Sequence, residues 1–107
     1  MGRAMLAQLP SEEIQKFLKN AIFKPPTNKG ISSALAMQKE IERIRNNGYS
    51  IVNQELETGL ISIGVAIGSH INDTYAAINV SVSASRWTVP EIEKKIWPLL
   101  RETASDI

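Results

Sequence analysis

The stretch Asn79-Val80-Ser81-Val82-Ser83 places an amide and two hydroxyls on every second residue. Alternate residues of a strand share a face. Asn79, Ser81 and Ser83 therefore stand in a row, with Val80 and Val82 on the opposite side. Short hydroxyls and amides give and accept hydrogen bonds without carrying charge. Their chemistry is recognition of a small polar molecule, such as a carboxylate, rather than bond making. Left buried without a partner, each such group costs on the order of 1–3 kcal/mol, so the row must meet water or a ligand. Two readings stand on these residues alone: a wet sheet face, or the floor of a small cavity for a polar ligand. A wet face usually carries Lys, Glu, Thr or Arg, and this one has almost no charge.

Other reactive residue types offer less. Glu55 and Glu57 form an acidic pair on a loop, but paired-carboxylate catalysis needs a fixed separation around a substrate, and nothing in the sequence sets one. The single His, His70, falls in an expected turn and reads as exposed. Cysteine is absent, which excludes a disulfide scaffold, a thiolate metal site and a Cys nucleophile. Gly64 and Gly68 are not followed by Gly-Lys-Ser/Thr and make no phosphate loop. Arg86 reads as a structural partner of Glu91 or of a carbonyl. Trp87 and Trp97 read as core or interface anchors. No metal, cofactor or enzymatic activity is expected.

The elements that hold these residues follow from periodicity. "LISIGVAI" (60–67) alternates Ile61, Ile63, Val65 and Ile67 with Leu60, Ser62, Gly64 and Ala66. "YAAINVSVS" (75–83) alternates Ala76, Ile78, Val80 and Val82 with Ala77, Asn79, Ser81 and Ser83. Joined by "SHIND" (69–73), the two read as an antiparallel hairpin, with "YSIVN" (49–53) as a further strand. The residues preceding them have helical spacing. "GRAMLAQL" (2–9) carries Met5, Leu6 and Leu9 on one side, and Pro10 stops it. Ser11 is expected to cap a second helix with the stripe Ile14, Phe17, Leu18 and Ala21. "KPPTNKG" (24–30) is a loop. Residues 32–47 form a third helix with Leu35, Met37, Ile41 and Ile44 inward, ended by Gly48. A last helix opens on "TVPE", with Thr88 and Glu91 as a capping box. It buries Ile92, Ile96, Leu99, Leu100 and Thr103, and Pro98 should disturb it. The expected class is α+β: an antiparallel sheet of a hairpin plus one strand, its Ile/Val face covered by the four helices.

The 107 residues suffice for one domain. Twelve basic against eleven acidic residues leave a net charge of +1, with no basic stripe, so the chain is not expected to grip nucleic acid. No apolar run reaches 18 residues, and a cytoplasmic location is expected. The first helix begins at the second residue, which suggests a piece of something longer.

These pieces in order resemble a known family. "MGRAMLAQLPSEE", "GYSIVNQELETGLISIGVAI", "YAAINVSVSASRWT" and "PLLRETASDI" are similar to the second part of the effector-binding domain of IclR-family transcriptional regulators. The residues that carry the likeness include Gly2, Arg3 and Ala4; Leu9 and Pro10; Gly48 and Tyr49; Glu55 and Gly59; Ala76, Ala77 and Ser81; and Ser85 and Arg86. The resemblance implies a GAF-like sensor fold that binds a small organic acid and helps set a homo-oligomeric state. It also implies that the winged helix-turn-helix for DNA, and the first part of the sensor domain, lie outside residues 1–107. By resemblance, ligand contacts fall at Val52, Leu60, Ser62, Asn79 and Ser81. Many members carry an acidic residue where this chain has Val52, which implies a different effector. "VNQELETGL" and "NVSVSAS" look like the subgroup that senses aromatic acids or products such as β-ketoadipate. A dimerisation module, with the small face buried against another subunit, is the alternative.

Overall fold

Period-two alternation produces three strands: β1 (Ser50–Asn53), β2 (Leu60–Ile67) and β3 (Ala76–Ser83). The helices are α1 (Gly2–Leu6), α2 (Ser11–Asn20), α3 (Ala34–Asn47), α4 (Val89–Glu91) and α5 (Trp97–Ser105). The computed structural model describes residues 2–67 and 76–105. Gly68, the link 69–73 with His70, and Tyr75 lie outside the described residues. The class is α+β, as expected.

The strands form one antiparallel sheet in the order β1-β2-β3. Ile63 faces Ile51 on one side and Val80 on the other, while Ser62 faces Val52 and Ser81. This register keeps every Ile and Val of the two strands on one face, together with Ala76, and places Ser62, Gly64, Ala66, Ala77, Asn79, Ser81 and Ser83 on the other. Among the described residues β1 and β3 are the outer strands. The middle of β3, Asn79 to Ser81, is exposed.

The C-terminal helix packs on the Ile/Val face and leaves Val80 of β3 exposed. Tyr49, Ile51, Ile61, Ile63, Val65, Ile92 and Leu100 form the core of this face, joined by Ile96, Trp87 and Trp97. Thr88 and Glu91 close the expected capping box at the start of α4. Between α4 and α5 the helix widens into a π turn over Ile92–Ile96, with the Trp97 N–H donating to the Ile92 carbonyl. The widened turn ends directly before Pro98, whose ring crowds the carbonyl four residues back and whose nitrogen has no proton to give. The disturbance expected at Pro98 is therefore a local change of helical period. It also rotates the later stripe: Trp97 packs inward, while Leu99 and Thr103 are exposed, contrary to expectation.

A second core contains no sheet residue. Ala7, Ile14, Leu18, Met37, Ile41 and Ile44 pack together with Leu6, Leu9, Phe23 and Ile31. Thus α1–α3 satisfy one another's apolar stripes and do not cover the Ile/Val face as the sequence suggested. Leu35 and Phe17, expected inside, are exposed because the three-helix cluster closes without them. Caps account for the boundaries. Ser33 accepts from the Ala36 N–H to start α3. Gly48, at φ 89°, ends it. Pro10 occupies the cap position of α2, so Ser11 lies in the first turn and makes no cap bond.

Candidate functional site

Helix α1 is in contact with β2 and β3. It lies on the small-residue side, where Ala4, Ala7 and Ala66 line one cleft together with Gly48 and Arg45. Side chains no larger than Ala at Gly64, Ala66 and Ala77 allow this close approach. The small face is thus divided. Its inner end is roofed: Ser50 and Gly64 are buried. Its outer part is open, with Asn79, Ser81 and Ser83 exposed and Ser62 half-buried.

All five residues expected to meet a ligand share this face. Val52, Ser62 and Ser81 form one row across the three strands. Leu60 lies one row to one side, opposite Ser83, and Asn79 one row to the other, opposite Gly64. Strand geometry makes this patch roughly 10 Å across the strands and 14 Å along them. The Ser62 and Ser81 hydroxyls are 2.8 Å apart and share a hydrogen bond. One proton satisfies that bond, so the pair still presents one O–H donor and spare acceptor capacity. Ser83 is less available, because its Oγ bonds Ser85 Oγ at 2.8 Å and accepts from the Ser85 N–H.

Beside this patch, at Val52, opens a cavity of about 280 Å³. Its walls include Phe23, Pro25 and Ile31 from the α2–α3 loop, Arg3 from α1, and Glu55 and Leu56 from the β1–β2 turn. That turn is tightly specified. Gln54 takes a left-handed φ of 58° and Gly59 one of 90°, the Gln54 N–H donates to the Leu60 carbonyl, and the Gln54 side chain accepts from the Gly59 N–H. Thr27 Oγ1 donates to the Gln54 carbonyl at 2.6 Å and lies 3.1 Å from that of Glu55. This ties the α2–α3 loop to the turn.

Arg3 and Glu55 form a two-pronged ion pair across this wall, with Arg3 Nη1 2.8 Å from Glu55 Oε2. Both side chains are about 15% accessible. Glu55 is therefore a fixed counter-ion and not half of a catalytic pair with the exposed Glu57. Sequence reasoning did not join Arg3 to Glu55. They lie 52 residues apart, and no periodicity connects them; the only available signal was that both belong to the pattern carrying the family likeness. Nor does Arg86 pair with Glu91, whose carboxylate instead accepts from the Thr88 N–H. Among the described residues, no group of three His, Asp or Glu is placed to hold a metal.

On the far side of the sheet, Tyr49 links three elements. Its hydroxyl donates to the Glu93 carboxylate, and its ring stacks at 44° on Trp97, with centroids 4.6 Å apart. Burial, then the bond and charge of Glu93, push its pKa up to about 12. Nearby, Arg43 is held more firmly charged by its hydrogen bond to Glu40.

The family described as Bacterial transcriptional regulator IclR C-terminal matches residues 1–107. The chain belongs to that family. It is 33% identical to the Pca regulon regulatory protein of Pseudomonas putida over all of its own length and 37% of that protein's. Among solved structures, the IclR protein of Thermotoga maritima superimposes with a TM-score of 0.88 at 33% identity, covering 97% of this chain and 42% of that one. A double mutant of the inducer-binding domain of the PobR transcription factor from Acinetobacter, in complex with 3-hydroxybenzoic acid, gives 0.88 at 25% identity, over 98% and 60%. The chain thus spans well under half the length of the first two relatives. The likeness is to transcriptional regulators, not to enzymes. No described helix is long and apolar enough to cross a membrane.

Proposed function

We propose that this chain is part of the ligand-sensing domain of an IclR-family regulator and that it takes a small organic acid, of the aromatic class, on the open part of the small face. The observation that carries this reading is the row Val52–Ser62–Ser81. A bonded hydroxyl pair with a free donor stands next to an apolar side chain at the mouth of a cavity. Asn79 and Leu60 flank it, giving one polar and one apolar edge. An aromatic acid needs both kinds of contact. The PobR domain's 3-hydroxybenzoic acid supports the aromatic class. Val52 in place of a carboxyl removes one anion from the site, which favours an acidic ligand.

In this reading, DNA is contacted through polypeptide outside residues 1–107, the protein works in the cytoplasm, and it forms a homo-oligomer. The ligand acts by binding two quaternary states unequally, a difference typically worth 1–3 kcal/mol. The second reading, a pairing module without ligand, draws on β3. It is an eight-residue outer strand, AAINVSVS, without a charge or Pro to block a further strand.

The double variant N79L/S81L separates them. Thermal shift with 3-hydroxybenzoate and 4-hydroxybenzoate should stabilise the wild-type chain by about 2.7 kcal/mol at a hundredfold excess over Kd. The variant should lose that shift while its sedimentation is unchanged. No stabilisation of the wild type by either acid, together with self-association that the variant loses, would instead favour the pairing module.

A further inference from the structure

The cavity beside Val52 holds charge that the hydroxyl row lacks. Arg3 forms one wall, Lys24 lies at the rim, and Glu55 stands opposite. The guanidinium has five N–H donors in a fixed fork. Glu55 takes two of them, and the pair's low exposure holds the fork in place. The remaining donors can serve a second carboxylate without dissolving the first bond. Two cations against one anion leave a surplus of one positive charge. Phe23 and Leu56 add an apolar wall for the body of a ligand.

We propose that this cavity is the anion-recognising subsite of the sensor: the acid's carboxylate binds Arg3 beside Glu55, Lys24 balances the added charge, and Glu55 excludes a second carboxylate. This deepens the reading above and rests on it. Val52 belongs to both the cavity wall and the hydroxyl row. A ligand with its carboxylate on Arg3 can therefore reach over Val52 and set a ring hydroxyl on the Ser62–Ser81 pair. Adjacent strands are about 4.8 Å apart, so Val52 to Ser62 is a reach that one benzene ring spans. The site should accept monocarboxylates and reject dicarboxylates, and it should prefer an acid to the amide of the same shape.

Isothermal titration of the full 107-residue chain with 3-hydroxybenzoate, 3-hydroxybenzamide and isophthalate tests this. The wild type should bind the benzoate at least tenfold tighter than either other probe. K24M, at an exposed position, should weaken the benzoate several-fold and flatten its salt dependence. R3M should weaken it tenfold or more. E55Q should tighten it and admit isophthalate. If the benzoate binds and N79L/S81L abolishes binding, but K24M and E55Q change neither affinity nor acid-over-amide preference, the ion pair is only a staple between α1 and the β1–β2 turn. That outcome overturns the subsite and leaves the sensing surface standing. If the wild type binds none of the probes, both fall. Because R3M also removes the ion pair and risks the fold, the decision rests on K24M and E55Q.

Discussion

The two faces of one sheet follow different physics. On the Ile/Val face, β2 meets the C-terminal helix through branched side chains, and Ile63 and Ile92 are almost inaccessible to water. On the other face, the same strand offers Ser62, Gly64 and Ala66, and the neighbouring helix covers only one end. Large interlocking side chains leave no room for a ligand. Small ones leave a hollow, and hydroxyls in it remain partnered only if they bond one another, water or a guest. Residues that differ by one position in sequence should therefore differ sharply in what they contribute to stability.

Truncating Ile63 to Ala tests the packed face and should have the largest effect. The side chain is 1% accessible, and such truncations cost about 2–5 kcal/mol through lost burial and the cavity left behind. Urea unfolding should show the unfolding free energy falling by that amount, through a lower midpoint at an unchanged slope. A loss below about 1 kcal/mol would mean that Ile63 is not packed between the helix and the sheet.

An intermediate effect is expected at Tyr49, where the packed face ends in a polar bond. Tyr49→Phe keeps the ring against Trp97 but removes the hydroxyl donated to Glu93. Bonds to charged partners contribute about 1.5–3 kcal/mol, and that is the expected loss at neutral pH. The alkaline behaviour carries a definite sign. Tyr49 titrates near 12 in the folded state, above about 10 in the unfolded chain. Up to pH 10 both states keep the proton, and the full contribution is present. Between pH 10 and about 12 the unfolded state binds fewer protons, so stability falls by about 1.4 kcal/mol per pH unit. Y49F should lack this slope. Absorbance titration at the tyrosinate band should show one late-ionising group in the wild type and none in the variant; identical curves would break the assignment.

Much of this contrast was legible in the sequence. Period-two alternation located β2 to the residue and β3 over its described residues. It also separated the faces, because a shift of one residue would have turned every Ile outward. Thr88, Glu91 and Gly48 announced helix ends through local chemistry that needs no tertiary context. What failed was non-local. The stripes of α1–α3 show that each helix must bury a side, but not that they bury it against each other; hence Leu35 and Phe17 were assigned inward. Leu99 and Thr103 were misplaced because the π turn before Pro98 shifts the helical phase. The Val52, Ser62, Ser81 row required the β1–β2 register, which no short-range signal fixes. The Arg3–Glu55 pair required the placement of α1 over the sheet.

The smallest stability effect, and the sharpest contrast with Ile63, is expected one residue away. Ser62→Ala removes one hydroxyl of the pair on the open face. Ser81 is exposed and can exchange its lost partner for water, so no buried group is left orphaned, and the net value of such a bond is at most about 1 kcal/mol. The expected change in unfolding free energy is within about 0.5 kcal/mol, as for surface substitutions generally. Binding should respond differently. With Ser62 gone, Ser81 keeps its donor but loses the partner that orients it, so 3-hydroxybenzoate should weaken several-fold while benzoate, which has no ring hydroxyl, should not. Measuring both ligands on one variant separates orientation of the hydroxyl pair from any general loosening of the face. Equal losses for the two acids would mean that the pair does not read the ligand's hydroxyl. A stability loss approaching that of Ile63→Ala would mean that the small face is packed after all.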